Sequence, residues 1–372
     1  MKAIIKNSPG PGVTLACMPI PEIKPDEVLV KVKACGICGT DIHIYNWDGW
    51  AQSRIGTHKL PQIVGHEFSG IVEQVGTNVK RVKVGDYVSG ETHIYYPNDF
   101  NALLGQKHIG EQMEILGVDR HGVFAEYVAI PERVVWHNDY EIPYELAAIQ
   151  EPLGNACYAV LGEDGDIAGK SMVITGDGPI SLMAVALARA CGVAKIFLIG
   201  MSEPRMQIAQ SLGADYVLSV NNTTHEDRVK FIKEHTYGVG ADIALEIVGN
   251  QSSITDAFRS VRKGGRVSAF GISPQNITEI DYNNEIVFKG IQIHGISGRK
   301  IFDTWYRVRN LLAGSRLNIY PVITDMMLFE EYNEAFAKLT ECNRIAAKIV
   351  LFIDKNDLAE ALKRKEKALR SN

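Results

Sequence analysis

An apolar stretch, Ser171-Met172-Val173-Ile174-Thr175, runs into Gly176-Asp177-Gly178-Pro179-Ile180-Ser181 and then into a helical pattern that lasts to Ala190. Strand, glycine turn and helix in that order admit few folds. The first glycine makes the tight turn and the second lets a pyrophosphate approach the backbone. The helix N-terminus, opened by Pro179 and Ile180, offers unpaired N–H groups and the positive end of its dipole. Ser181 stands where the third glycine of that fingerprint falls, and is small enough for close helix–strand packing. Strand-like runs at 195–199, 216–218, 242–246 and 266–270 then alternate with helical ones such as 203–212. Such alternation predicts a doubly wound parallel sheet.

The N-terminal part reads differently. Short β-branched runs at 28–32, 69–76 and 82–88, bounded by Gly, Pro and Asp, predict a barrel-like β domain. The expected division is a β-rich catalytic domain over 1–155, a dinucleotide-binding domain over 156–295 and a return to the first domain over 296–353. A charged helical tail follows over 354–372, with Leu358, Leu362 and Leu369 at helical spacing; it reads as a solvated helix or an oligomer contact.

Within the first domain, Cys38 opens Cys38-Gly39-Thr40-Asp41-Ile42-His43, and Gly65-His66-Glu67 follows on a strand-turn stretch. A thiolate, an imidazole and a carboxylate make a ligand mix suited to catalytic zinc, with Glu151 as a second carboxylate. A Lewis-acidic ion near a nicotinamide points to alcohol oxidation. The Thr40 hydroxyl is placed to take the alcohol proton and His43 to pass it to solvent. Each residue also has an ordinary reading: Cys35 and Cys38 as a redox dithiol or half of a structural zinc site, His66 as a turn histidine, Glu67 as a solvated carboxylate, Glu151 as a capping acid, and His43 as a surface histidine. The combination is more specific than any member.

The cofactor is less plain. An acid about 20 positions after the glycines normally receives the adenosine ribose of NAD, and Gly200 stands there instead. Ser202 and Arg205 are nearby donors for a 2′-phosphate, so NADP is favoured over NAD, with Glu203 as an alternative partner for the NAD ribose. With a net charge of −5 there is no basic excess, which argues against nucleic acid or an anionic membrane as partner. No apolar run approaches the roughly 20 residues of a membrane span. The six cysteines form no disulfide framework and the start lacks a secretory apolar core, so a cytoplasmic protein acting on a small molecule is expected.

Taken together these residues resemble the zinc-dependent medium-chain dehydrogenases, and within them the L-threonine 3-dehydrogenase family. The matching stretches are 38–47, 50–54, 65–67, 90–94, 122–127, 151–155, 295–299 and 304–306, and the resemblance covers residues 1–352. It implies an α/β architecture with a GroES-like β-barrel catalytic domain and a Rossmann domain, a homotetramer, and zinc at Cys38, His66, Glu67 and Glu151, not all binding at once. It also implies that His93 lies near the substrate and Arg299 near the cofactor phosphates. The family's structural-zinc cysteines correspond here to Tyr96, Asp99, Ala102 and Gly110. One catalytic zinc and no structural zinc are therefore expected, with Tyr95, Tyr96 and Phe100 packing the lobe. A polyol or sugar dehydrogenase and a non-catalytic nucleotide-binding protein are the competing readings.

Overall fold

The computed structural model describes residues 1–273, 279–341 and 345–370. The chain divides into two compact units. Met1–Pro152, Lys300–Ala313 and Ile323–Asn372 make the first, and Leu153–Arg299 with Gly314–Val322 the second.

The first unit is built on a seven-stranded sheet. Its order is Val135–His137, Tyr87–Gly90, Glu67–Val75, Glu27–Gly36, Lys348–Phe352 and Ile323–Leu328, with Tyr127–Pro131 also pairing with Glu27–Gly36. Val28, Val30 and Val32 alternate inward with Phe68, Phe124 and Ile349 in one buried core. Those β-branched residues suit a pleated, half-buried surface. The strand Glu27–Gly36 delivers Cys38 to the start of the helix Gly39–Asn46. Its antiparallel partner, Glu67–Val75, begins just past His66 and sets Glu67 opposite Gly36.

The charged tail forms the helix Lys355–Arg370. It is fastened rather than merely solvated: Arg364 donates Nε and Nη2 to the two oxygens of the buried Glu145, at 2.8 and 2.9 Å. Lys365 Nζ donates to the Thr324 carbonyl at 2.8 Å, and Ala361 is fully buried. A leucine period alone cannot reveal a clasp formed by an arginine.

The second unit is a six-stranded parallel sheet ordered Tyr216–Ser219, Lys195–Gly200, Ser171–Thr175, Ala241–Glu246, Val261–Ala269 and Gln292–Gly295. Numbered along the chain this is 3-2-1-4-5-6, the doubly wound dinucleotide order, with the switch point between Ser171–Thr175 and Ala241–Glu246. Met172, Val173, Ile174, Ala244 and Leu245 are wholly buried, as strands covered by helices on both faces must be. Among the described residues, no helix is long and apolar enough to cross a membrane.

Candidate active site

Cys38 caps the helix Gly39–Asn46, and its backbone N–H donates to Asp41 Oδ2 at 2.9 Å. Asp41 Oδ1 accepts the Gly65 N–H at 3.2 Å and lies 3.7 Å from His66 Nδ1. Asp41 thus staples together the two loops that carry Cys38 and His66. A carboxylate behind an imidazole is the usual way of orienting a metal-binding histidine. The sequence reading passed Asp41 over, although it lies inside the motif that carries Cys38.

Two glycines make room for this arrangement. Gly65 has φ +88°, and a Cβ there would lie 2.2 Å from the Phe124 ring. A Cβ at Gly36 would lie 2.2 Å from Glu67 Oε2, so the Glu67 carboxylate runs across a bare backbone.

The donor atoms of Cys38, His66 and Glu67 lie within 4.8 Å of one another. Sulfur, nitrogen and oxygen donors that close can converge on one zinc. Burial opposes a charge on His66, yet the Asp41 carboxylate and the Cys38 sulfur outweigh it and push the imidazole up to about 10. Acidic groups gathered around one imidazole make the site chemically suited to a cation. Glu151 stands outside the trio, its Oε1 accepting from Thr92 Oγ1 at 3.0 Å. Glu67 is itself engaged: Lys348 Nζ donates to both of its oxygens, at 2.8 and 2.9 Å, and to the Ile37 carbonyl at 2.8 Å. Burial works against charge on Lys348, but Glu67 and Cys38 keep its pKa above the usual lysine range. Cys35 is wholly buried and lies outside the donor trio; burial pushes its thiol well up, which makes it inert rather than half of a redox pair.

Thr40 Oγ1 lies 4.0 Å from Cys38 Sγ. His43 follows on the same helix three residues later, a spacing that shares a face. Its exposed ring places Nδ1 2.5 Å from Asp48 Oδ2. The left-handed Trp47, at φ +53°, turns the chain so that Asp48 reaches back to His43 while its Oδ1 accepts the Ala51 N–H at 3.1 Å. His93 donates its backbone N–H to Glu91 Oε1 at 2.8 Å, and Glu91 Oε2 accepts from Trp305 Nε1 at 2.8 Å. Glu91 and Trp305 are both buried. Two stretches far apart in sequence, 90–94 and 304–306, are therefore joined at Glu91, beside His93.

In the second unit, Gly176 has φ +96° and Gly178 caps the helix Pro179–Ala190, with Pro179 and Ile180 in its first turn. Gly200 ends a strand, Ser202 caps the helix Glu203–Ser211, and Arg205 is buried on that helix. Arg299 is buried and donates Nη1 to Asn155 Oδ1 at 3.1 Å.

The lobe without cysteines is organised by Asp99. Its Oδ1 accepts the N–H of Asn101 and Ala102 at 2.9 and 3.4 Å, and its Oδ2 those of Glu111 and Gln112 at 2.8 and 3.2 Å. Aromatic packing contributes less than the sequence suggested: Tyr95 is buried, but Tyr96 is 38% and Phe100 70% exposed. Slight burial opposes ionisation of Asp99, and the four N–H donors outweigh it, so its carboxyl lies below the usual range. A depressed folded value means that the contribution is complete above the unfolded value of about 4 and lost as pH falls through the lower folded one. Protection from hydrogen exchange across 99–112, relative to the intrinsic rate at each pH, should stay high at pH 6 with excess chelator and fall below about pH 4; in Asp99→Ala it should be low throughout. Chelator-sensitive exchange at pH 6 would overturn this account.

The model of the alcohol dehydrogenase GroES-like domain matches residues 24–140, and that of the zinc-binding dehydrogenase matches residues 179–314. An L-threonine 3-dehydrogenase of Bacillus licheniformis is 45% identical over 347 residues, covering 93% of this chain and 98% of that protein. The solved 2R,3R-butanediol dehydrogenase of Bacillus subtilis superposes with a TM-score of 0.84 at 29% identity, covering 95% of this chain and 99% of its own. A zinc-binding dehydrogenase from Sinorhizobium meliloti bound to NADP gives 0.84 at 27% identity, covering 94% and 98%.

Proposed function

The chain belongs to the zinc-dependent medium-chain dehydrogenases, alongside the L-threonine 3-dehydrogenases, and from that premise we propose that it oxidises the 3-hydroxyl of L-threonine to a ketone with NAD(P) as hydride acceptor. One observation carries the reading: 45% identity along 98% of an L-threonine 3-dehydrogenase, in a chain whose Cys38, His66 and Glu67 donors converge. Cys38 and His66 would hold one zinc per chain, with Glu67 and Glu151 as exchangeable carboxylates. When bound, that ion supplies Lewis acidity toward the alcohol oxygen. Metal analysis should return one zinc per chain, because Tyr96, Asp99, Ala102 and Gly110 offer no thiolate for a second; two would contradict it. The same resemblance supports a homotetramer, and the cysteine usage a cytoplasmic one.

The chain's own groups divide the remaining work. Thr40 takes the hydroxyl proton and His43 releases it to solvent, with Asp48 holding the imidazole in place. Gly176, Gly178 and the start of the helix Pro179–Ala190 present N–H groups to the pyrophosphate. Glu91 and Trp305 keep His93 beside the substrate.

A kinetic panel of L-threonine, other amino alcohols and sorbitol- or inositol-type polyols tests the substrate. L-Threonine should exceed the polyols in kcat/KM by about a hundredfold or more, because a threonine site must pair an ammonium and a carboxylate, and would reject ligands lacking them. Polyol oxidation with none of threonine would overturn the assignment. Asp48→Asn should lower kcat about tenfold and leave KM for the dinucleotide unchanged, the size expected when a catalytic imidazole loses its orienting carboxylate. Unchanged kcat would remove Asp48 from the proton path.

A further inference from the structure

The bare Gly200 leaves the end of the second strand of the parallel sheet without its acid. We propose that Asp177, inside the glycine turn, supplies the missing carboxylate from the other side and makes the protein select NAD against NADP. The inference rests on the reading of 176–181 as the dinucleotide turn, and goes beyond it to name which dinucleotide is taken.

The geometry is a swap. Asp177 is only 6% exposed, and its Oδ2 accepts the backbone N–H groups of Met201 and Ser202, both at 2.6 Å. It fits because position 200 has no side chain: a Cβ there would lie 3.1 Å from both Cβ and Oδ2 of Asp177. A carboxylate therefore stands at the strand end although no acid occupies the strand end in sequence. Reading the chain in order, the turn residue looks interchangeable and the glycine looks like a loss.

This arrangement acts against a 2′-phosphate. The N–H groups of Met201 and Ser202 lead into the helix Glu203–Ser211 and are donors of the kind a phosphate takes. Here an internal anion already accepts both. Arg205, which in sequence looked like a phosphate partner, has Nη1 3.9 Å from Asp177 Oδ1, so its charge is faced by that carboxylate. A phosphate brought there must displace a buried anion or lie against it. Ribose hydroxyls meet no such conflict, since a carboxylate offers about four acceptor positions and can take donors beyond the two backbone N–H groups.

Fluorescence titration of NADH and NADPH into the purified protein reads this directly, without turnover. The wild type should bind NADH at least about tenfold more tightly than NADPH, and Asp177→Ala should shrink that ratio by about tenfold or more, the scale of one unscreened neighbouring charge. Asp177→Asn, which keeps an acceptor for the two N–H groups, should move the ratio the same way if the alanine variant folds poorly. The double variant Asp177→Ala/Gly200→Asp should restore the preference for NADH by returning the acid to the strand. Tighter binding of NADPH by the wild type, or an unchanged ratio in both single variants, would overturn the proposal while leaving the dehydrogenase reading intact. Binding of neither dinucleotide by the wild type would overturn both.

Discussion

Replacing Cys38 by serine should reduce turnover at least about a thousandfold, the loss of several kcal/mol of charge stabilisation at the reacting oxygen. A serine hydroxyl is not ionised at neutral pH and cannot replace a thiolate in the donor trio, which leaves His66 and Glu67 with one anionic donor fewer. Zinc content by metal analysis should fall in parallel with kcat. NADH titration should be nearly unchanged, because the glycine turn belongs to the other compact unit. The backbone N–H of Cys38 still reaches Asp41 in the variant, so the loop keeps its shape and the loss can be attributed to the sulfur. Full zinc content with normal kcat would remove Cys38 from the metal site.

The legible parts of this protein were those written in short, contiguous spacing. The glycine turn with its following helix, the strand–helix alternation, and the pair of motifs holding Cys38 and His66 all place chemistry within a few residues, where φ freedom and donor type can be read directly. What escaped was long-range or negative. Lys348 lies 281 residues from Glu67 in sequence and reads as an ordinary strand lysine until the sheet sets the two together. Trp305 matched a family stretch, but its bond to Glu91, and hence its link to His93, needs the fold. Asp99 was read for the thiolate it is not, when its four N–H bonds make it the centre of its lobe. Asp177 and Gly200 were each weighed alone, whereas their meaning lies in the pair. Donor type is local information; partnership is not.

Lys348 carries the largest stability prediction. Its ammonium is 2% exposed and its partner Glu67 is 0% exposed, so neither charge has solvent to fall back on. Lys348→Met removes the cation and leaves a buried carboxylate without its main partner, a change that costs about 3–5 kcal/mol when one member of a buried pair is deleted. The double variant Lys348→Met/Glu67→Gln removes both charges and should recover most of that loss, since a neutral amide carries a far smaller desolvation cost. Urea unfolding of the metal-stripped protein isolates the effect from zinc binding, which would otherwise add its own stabilisation to the folded state. A loss below about 1 kcal/mol in the single variant, the range of an exposed pair, would show that Glu67 finds another partner. Restoration by the double variant would instead establish that the loss comes from the Glu67 carboxyl being left without Lys348.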